Sequence, residues 1–154
     1  RIVTIFGVPT MAMVRLPTRK SDGKANLHQG AVGVGICMAT GITLRGVQGN
    51  DVVSEHPDTG APVSGLSIPG WDNLLGLAGK WYELTGLGYL GVDIVLDRTK
   101  GPLTLELNAR PGLNIQVANN AGLIPRLEMV EHCYKDLRSV AERVAFAKEN
   151  FASV

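Results

Sequence analysis

The fold of this chain is decided by the stretch Gly91-Val-Asp-Ile-Val-Leu-Asp-Arg-Thr-Lys-Gly-Pro-Leu-Thr-Leu-Glu-Leu-Asn-Ala-Arg-Pro-Gly-Leu113. Two apolar runs, residues 90–96 and 103–107, flank the polar segment 97–102, which contains Gly and Pro. Apolar runs of this length on either side of a turn-rich segment are typical of two antiparallel strands. The stretch therefore predicts a β-hairpin.

The predicted hairpin carries oxygen-bearing side chains at Asp93, Glu106 and Asn108. Side chains alternate between the two faces of a strand, so Glu106 and Asn108 share a face, and Asp93 can lie opposite them on the partner strand. Hard oxygen ligands suit Mg²⁺, which takes few protein ligands and leaves its other positions to water and phosphates. The hairpin alone is also compatible with carboxylates that only face solvent, so both interpretations stay open at this point.

The same stretch resembles the C-terminal signature of the ATP-grasp ligases. The matching residues are Leu-Gly-Val-Asp-Ile-Val, a turn, and Leu-Glu-Leu-Asn-Ala-Arg-Pro-Gly-Leu. In that family an Asp, then a Glu and an Asn two residues apart, hold one or two Mg²⁺ ions that bridge the phosphates of ATP. The resemblance thus implies Asp93, Glu106 and Asn108 as metal ligands, Glu106 also as a nucleotide contact, and ATP with Mg²⁺, or alternatively Mn²⁺, as cofactors.

A second block resembles the segment that precedes the metal site in the glutamate-adding, RimK-like branch of this family. It comprises Arg1-Ile-Val-Thr-Ile, a Gly-Val-Pro turn, Met11-Ala-Met-Val-Arg15 and Lys24-Ala-Asn-Leu-His-Gln-Gly30-Ala-Val-Gly33. The resemblance implies that Arg15 lies near the phosphates, as a catalytic and nucleotide-binding residue, and that Lys24 and Asn26 contact ATP. Lys24 stands where that branch usually has Arg, which keeps the charge but loses the planar two-pronged donor. A longer middle, residues 46–70, looks closer to alpha-L-glutamate ligase-like and sugar-transfer-associated relatives, and this leaves the acceptor open.

Arg110 is the second candidate catalytic residue. Beside a carboxylate-bound metal and a Pro-Gly turn, a fixed cation can hold an anionic acceptor or a developing acyl phosphate. The alternative is a surface salt bridge. The amides that follow, in residues 114–120, predict either a hydrogen-bonding substrate lip or backbone capping in a connecting loop, since Asn readily bonds its own backbone.

The remaining patterns predict an α+β domain of two layers. The resemblance implies an ATP-grasp C-terminal subdomain whose mostly antiparallel sheet is covered by helices on one side. The predicted strands are residues 1–6 and 10–16 around a turn at 7–9, then 30–36, 43–47, and a hairpin of 52–56 with 63–66. Residues 71–84 and 125–151 have the apolar spacing of helices. Trp71 and Trp81 are predicted to pack in the core.

Composition excludes several classes of function. The chain has 154 residues, of which 45% are hydrophobic and 19% charged, and these are ordinary globular values. A net charge of +1 without a basic stripe argues against a nucleic-acid surface. No apolar run reaches the roughly 20 residues of a membrane span. Cys37 and Cys133 lack zinc-ligand spacing and are predicted to be reduced thiols, which favours a cytoplasmic location.

The resemblance implies that residues 1–154 are the second half of the ATP site, with a first grasp subdomain and an N-terminal domain elsewhere in the same protein, so this piece is expected to be inactive alone. The favoured function is an ATP- and Mg²⁺-dependent carboxylate–amine ligase that forms an acyl phosphate and adds an amino acid such as glutamate to an acceptor carboxylate. An ATP-grasp protein of saccharide or cell-surface pathways and a non-catalytic nucleotide-binding module remain as alternatives. The sequence leaves the substrates and the oligomeric state open.

Overall fold

The strands of the protein form one antiparallel sheet in the computed structural model, which describes residues 1–152. They are β1 Ile2–Ile5, β2 Val8–Leu16, β3 Val32–Ile36, β4 Thr43–Gln48, β5 Asp51–Val53, β6 Tyr89–Asp97 and β7 Gly101–Asn108. The order across the sheet is β5-β4-β3-β2-β1-β6-β7. The predicted hairpin is confirmed as β6 and β7. Because β6 pairs with β1, the hairpin joins the N-terminal strands in a single sheet.

The turn between β1 and β2 is shorter than predicted. Phe6 and Gly7 form it with φ values of 46° and 76°, the left-handed conformation that a two-residue hairpin turn requires. Val8 and Pro9 therefore belong to β2, contrary to the prediction of a turn at 7–9. Pro9 lies opposite Thr4, next to a register shift in β1, and an irregular position of this kind tolerates a residue without a backbone N–H.

The glycines of β3 allow other segments to approach the sheet closely. A Cβ atom on Gly35 would lie 2.5 Å from the carbonyl oxygen of Ala118, and one on Gly33 would lie 3.0 Å from a methyl group of Leu27. The strand predicted at 30–36 is thus confirmed as β3, and its glycines leave room for other chain segments.

Four helices are present in the part of the chain that the structure describes: α1 Trp71–Thr85, α2 Asn114–Asn119, α3 Ile124–Cys133 and α4 Val140–Asn150. The helix predicted at 71–84 is confirmed as α1, which packs on β1, β2 and β6. The single helix predicted at 125–151 is wrong, because α4 starts separately. The Ser139 hydroxyl accepts from the Glu142 N–H, and the Glu142 carboxylate accepts from the Ser139 N–H at 2.8 Å, a reciprocal cap that begins a new helix.

The predicted hairpin of residues 52–56 with 63–66 is present only as a short antiparallel contact, and the two predicted strands do not form a ladder. Strand β5 instead folds back on β4 through the Gly49-Asn50 turn. Residues 54–56 meet residues 61–63 through the isolated bridge between Glu55 and Pro62 and through the Val63 N–H, which donates to the Ser54 carbonyl at 3.0 Å. Val63 is buried in a small cluster with Val32 and Val34. The segment after β5 thus covers the sheet as a loop.

The main core lies between the sheet and the helices and bears out the α+β class. Trp71 is 7% exposed and donates its indole N–H to the Met38 carbonyl. Trp81 is half-buried and donates to the Thr104 hydroxyl, so both tryptophans serve packing, as predicted. Cys37 is buried and Cys133 half-buried, and neither takes part in a disulfide within residues 1–152.

Candidate functional site

The register of the β6–β7 hairpin brings the predicted metal ligands together. Asp93 is directly opposite Glu106, and Asn108 follows on the same face of β7, opposite Gly91. The Cβ atoms of directly opposed residues are about 5 Å apart, so these two carboxylates can contact one cation. A register shift lies immediately beyond the pair, where Ile94 is opposite Thr104 and Leu105 is the extra residue.

Asp93 is buried and held by two arginines. The Arg1 guanidinium is bidentate, with Nε 2.8 Å from Oδ1 and Nη2 2.7 Å from Oδ2, and Arg15 Nη2 lies 2.9 Å from Oδ1. Burial acts to raise the pKa of Asp93, but the Arg1 hydrogen bonds and the positive charges of Arg15 and Arg1 outweigh it and leave the pKa below its ordinary value. A carboxylate has about four lone-pair positions, so one position on Oδ2 remains for a cation.

The side-chain oxygens of Glu106 and Asn108 are more accessible to a ligand than those of Asp93. Glu106 is exposed, and its carboxylate has no hydrogen bond or ion pair with any residue of the range 1–152. Asn108 is half-buried, and its Oδ1 accepts from the Arg110 backbone N–H at 2.9 Å. These oxygen donors fit a hard divalent cation. No cluster of three His, Cys, Asp or Glu side chains that could hold a metal occurs in the described chain, so the Asn108 amide oxygen or water must complete the set.

The structure places Arg15 at the Asp93 carboxylate, and the segment 24–26 comes near Arg15. Ala25 and Arg15 line the same cavity. Lys24 is exposed and has only a 3.7 Å ion pair with the exposed Asp22, a surface pair worth about 1 kcal/mol at most, so its ammonium group is available to a ligand. Asn26 caps a short 3₁₀ turn, Leu27–Gln29, by accepting from the His28 N–H at 3.0 Å, and its amide NH₂ has no partner in residues 1–152.

Arg110 extends from the end of the hairpin and is exposed. Its guanidinium makes no ion pair or hydrogen bond with another described residue, so the alternative of a surface salt bridge does not hold within residues 1–152. Only its backbone is engaged, as the donor to Asn108. The cation is therefore free to meet a ligand in front of β7.

The amide-rich segment is a helix and not the predicted loop. Asn119 is buried and donates to the carbonyls of Ala12 and Ile115 at 2.9 and 2.8 Å, and Gln116 accepts from the Leu123 N–H. Backbone capping is thus the correct interpretation for these two residues. Asn114 is exposed and keeps its side-chain groups free of other described residues.

A cavity of about 310 Å³ adjoins the carboxylates. Arg1, Arg15 and Asp93 line its charged side, and the rest of its lining is mainly apolar and includes Ile36, Trp71, Leu74, Val95 and Leu105. Leu105, the extra residue of the register shift, is 69% exposed. An apolar surface beside guanidinium and carboxylate groups can hold a flat ring at one end and phosphates with a divalent cation at the other.

Sequence reasoning missed Arg1 as the main partner of Asp93. The contact exists because β1 lies between β2 and β6, and no local pattern in the sequence signals that order. Arg1 and Asp93 are far apart along the chain, and only the assembled sheet brings them together.

The antiparallel sheet and its helices are those of an ATP-grasp subdomain, and the ATP-grasp fold is a fold of ATP-dependent ligases. A sequence model of the sugar-transfer associated ATP-grasp family matches residues 1–132, and the chain belongs to that family. Searches of curated proteins and of solved structures gave no match. Among the helices of residues 1–152, none is both long enough and apolar enough to cross a membrane.

Proposed function

We propose that this chain forms half of the ATP site of an ATP- and Mg²⁺-dependent ligase. The observation that carries the proposal is the pairing of Asp93 with Glu106 across the hairpin, with Arg15 on the same carboxylate. Glu106, Asn108 and the open position on Asp93 Oδ2 would hold the cation. The other half of the site would come from a preceding subdomain of the same protein.

The reaction supported by this arrangement passes through an acyl phosphate. A substrate carboxylate attacks the γ-phosphorus of ATP and ADP leaves; the nucleophile then attacks the acyl carbon, inorganic phosphate leaves, and the nucleophile loses its proton to solvent. Bound Mg²⁺ would offset charge on the phosphate oxygens. Arg15 and Lys24 would donate to phosphate oxygens, Asn26 would orient the nucleotide, and Arg110 would hold the substrate carboxylate that is phosphorylated. None of these roles needs a side-chain nucleophile.

Two classes of substrate, amino acids and saccharides, could supply the nucleophile that accepts the acyl group. The resemblance to glutamate-adding enzymes favours an amino acid whose amine attacks the acyl phosphate. Membership of a family associated with sugar transfer favours a saccharide acceptor. In both cases ATP and Mg²⁺, or Mn²⁺ in its place, are the same, and only the nucleophile differs.

The test is ADP and phosphate release by the whole protein with Mg·ATP and a panel of amino acids and saccharides. Release that depends on one nucleophile, and that falls more than about tenfold in Glu106→Gln and Asp93→Asn, supports ligation. Asp97→Asn is the matched control, because Asp97 lies on the same hairpin, and Asn can still accept the hydrogen bonds from Thr99 and Lys100. Tight ATP binding without turnover for any acceptor would instead support a non-catalytic nucleotide-binding module.

A further inference from the structure

We propose that a second cavity, next to the ATP half-site, binds a neutral, hydroxyl-rich ligand, namely one sugar ring of a saccharide substrate. The cavity has a volume of about 290 Å³, and its polar lining consists of His28, Asn50 and Asn114. The inference rests on the proposed function, because it treats this cavity as the acceptor subsite of the same ligase. A sugar-binding cavity here favours a saccharide over an amino acid as the substrate that attacks the acyl phosphate.

The position of the cavity follows from the two segments that carry the candidate site. The segment with Lys24 and Asn26 continues directly into the 3₁₀ turn that supplies His28. The β7 strand with Glu106 and Asn108 continues, after a Pro-Gly turn, into α2, whose first residue is Asn114. Both segments therefore run from the proposed metal and phosphate groups into the walls of this cavity. The turn between β4 and β5, with Asn50, forms a third wall.

The polar groups of the lining are one imidazole and two side-chain amides. The side chains of His28, Asn50 and Asn114 make no hydrogen bond with any other residue in 1–152, so all three can serve a ligand. An amide both donates and accepts, and a sugar hydroxyl does the same. No Asp, Glu, Lys or Arg lines the cavity, so the ammonium and carboxylate of a free amino acid would enter without an opposite charge, which is unfavourable.

The apolar part of the lining suits the C–H faces of a ring. Leu27, Val47 and Val117 supply it. Pockets for small ligands start at about 300 Å³, and this cavity lies at that lower limit, which fits one ring and not an extended chain. A saccharide bound here would lie on the same face of the sheet as Arg15, because Gly33 of β3 is opposite both Arg15 of β2 and Val47 of β4.

The experiment measures binding of N-acetylglucosamine, galactose and L-glutamate to the whole protein by saturation-transfer NMR, with Mg·ATP affinity measured separately on the same samples. Val117→Trp fills the cavity from an exposed position on α2, and Asn114→Ala removes one polar partner. Ile124→Trp is the matched control, because Ile124 is 69% exposed and lies outside the cavity. We expect saccharide binding at least tenfold weaker in both cavity variants, unchanged binding in the control, and the same Mg·ATP affinity in all.

Two outcomes overturn the proposal while leaving the ligase intact. One is that no saccharide binds at millimolar concentration although Mg·ATP does, or that saccharide binding survives in both cavity variants. The other is that L-glutamate binds and is displaced by Val117→Trp, which assigns the cavity to an amino acid. Failure of the proposed function has a different signature, namely no Mg·ATP binding by the wild-type protein, whatever the saccharides do.

Discussion

Replacement of Asp93 by Asn is predicted to destabilise the protein in a pH-dependent manner. The Asp93 carboxylate is the counter-charge of both Arg1 and Arg15, through three contacts of 2.7 to 2.9 Å. Asn keeps one acceptor oxygen but carries no charge. The variant therefore leaves two guanidinium groups side by side without the anion that separates them.

The expected loss in the free energy of unfolding depends on how deeply the side chains of Arg1, Arg15 and Asp93 are buried. The side chains of Arg1 and Asp93 are each 11% exposed, and that of Arg15 is 23% exposed. Removing one partner of a buried ion pair costs about 3–5 kcal/mol. The retained amide oxygen and the partial exposure of Arg15 reduce this cost, so we expect a loss of about 2–3 kcal/mol in the free energy of unfolding at neutral pH.

The assay is urea unfolding of wild type and Asp93→Asn, without metal or nucleotide, at a series of pH values. The pKa of Asp93 is lowered in the folded protein, so its contribution is fully present above the ordinary pKa of an Asp, about 3.9, and is lost as the pH falls through the folded-state pKa. The difference between the two proteins should thus be largest above about pH 5 and shrink in strong acid.

Glu106→Gln is the matched control for stability, because Glu106 is exposed and has no partner in the described chain. It should leave the free energy of unfolding nearly unchanged at every pH while weakening Mn²⁺ binding. A stability difference for Asp93→Asn that is below about 1 kcal/mol, or that does not depend on pH, would refute the account of Asp93 as a buried counter-ion.

Three further predictions concern Arg1, Gly35 and Ser139. Arg1→Met frees lone pairs on Asp93 and removes a positive charge, so it should tighten Mn²⁺ binding about tenfold in the absence of nucleotide. Electron paramagnetic resonance of free Mn²⁺ measures this binding, and a weaker affinity would mean that Arg1 orients Asp93 for the metal. Gly35→Ala forces a methyl group against the α2 backbone and should cost about 1–3 kcal/mol in urea unfolding, and no loss would show that α2 moves freely. Ser139→Ala removes the cap of α4 and should cost about 1 kcal/mol, seen as a lower midpoint of thermal unfolding, whereas Ser139→Asp should retain most of the wild-type midpoint.

The accuracy of the sequence predictions depended on how local each signal was. The β6–β7 hairpin was predicted because apolar runs, a Gly-Pro turn and alternation all lie within one short stretch. The break between α3 and α4 was missed because the apolar spacing continues through it, although Ser139 and Glu142 carry the spacing of a capping box. The partner of β5 was missed because residues 63–66 have as strong a strand pattern as β4, and only the tight turn after Gln48 decides between them.

In the candidate site too, the features that depend on neighbouring residues were predicted and the contacts between distant segments were not. The common face of Asp93, Glu106 and Asn108 follows from period-two alternation, and the local register is all that it requires. The ion pairs of Asp93 do not follow from alternation, because they depend on Arg1 and Arg15, which reach Asp93 from other parts of the sheet. A sequence pattern can therefore identify the oxygens of a site without indicating which of them are already occupied.

The geometry at Asp93 suggests a division of roles between the two arginines. Arg1 uses two nitrogens in a bidentate contact, whereas Arg15 makes a single ion-pair contact through Nη2. A guanidinium has five N–H donors, so Arg15 can keep its contact and still donate to a phosphate, or leave Asp93 without depriving it of a counter-charge. Arg1 has no such freedom, because its departure would break two of the three contacts. Arg15 is therefore the arginine suited to follow a nucleotide, and Arg1 the one suited to remain the counter-charge of Asp93.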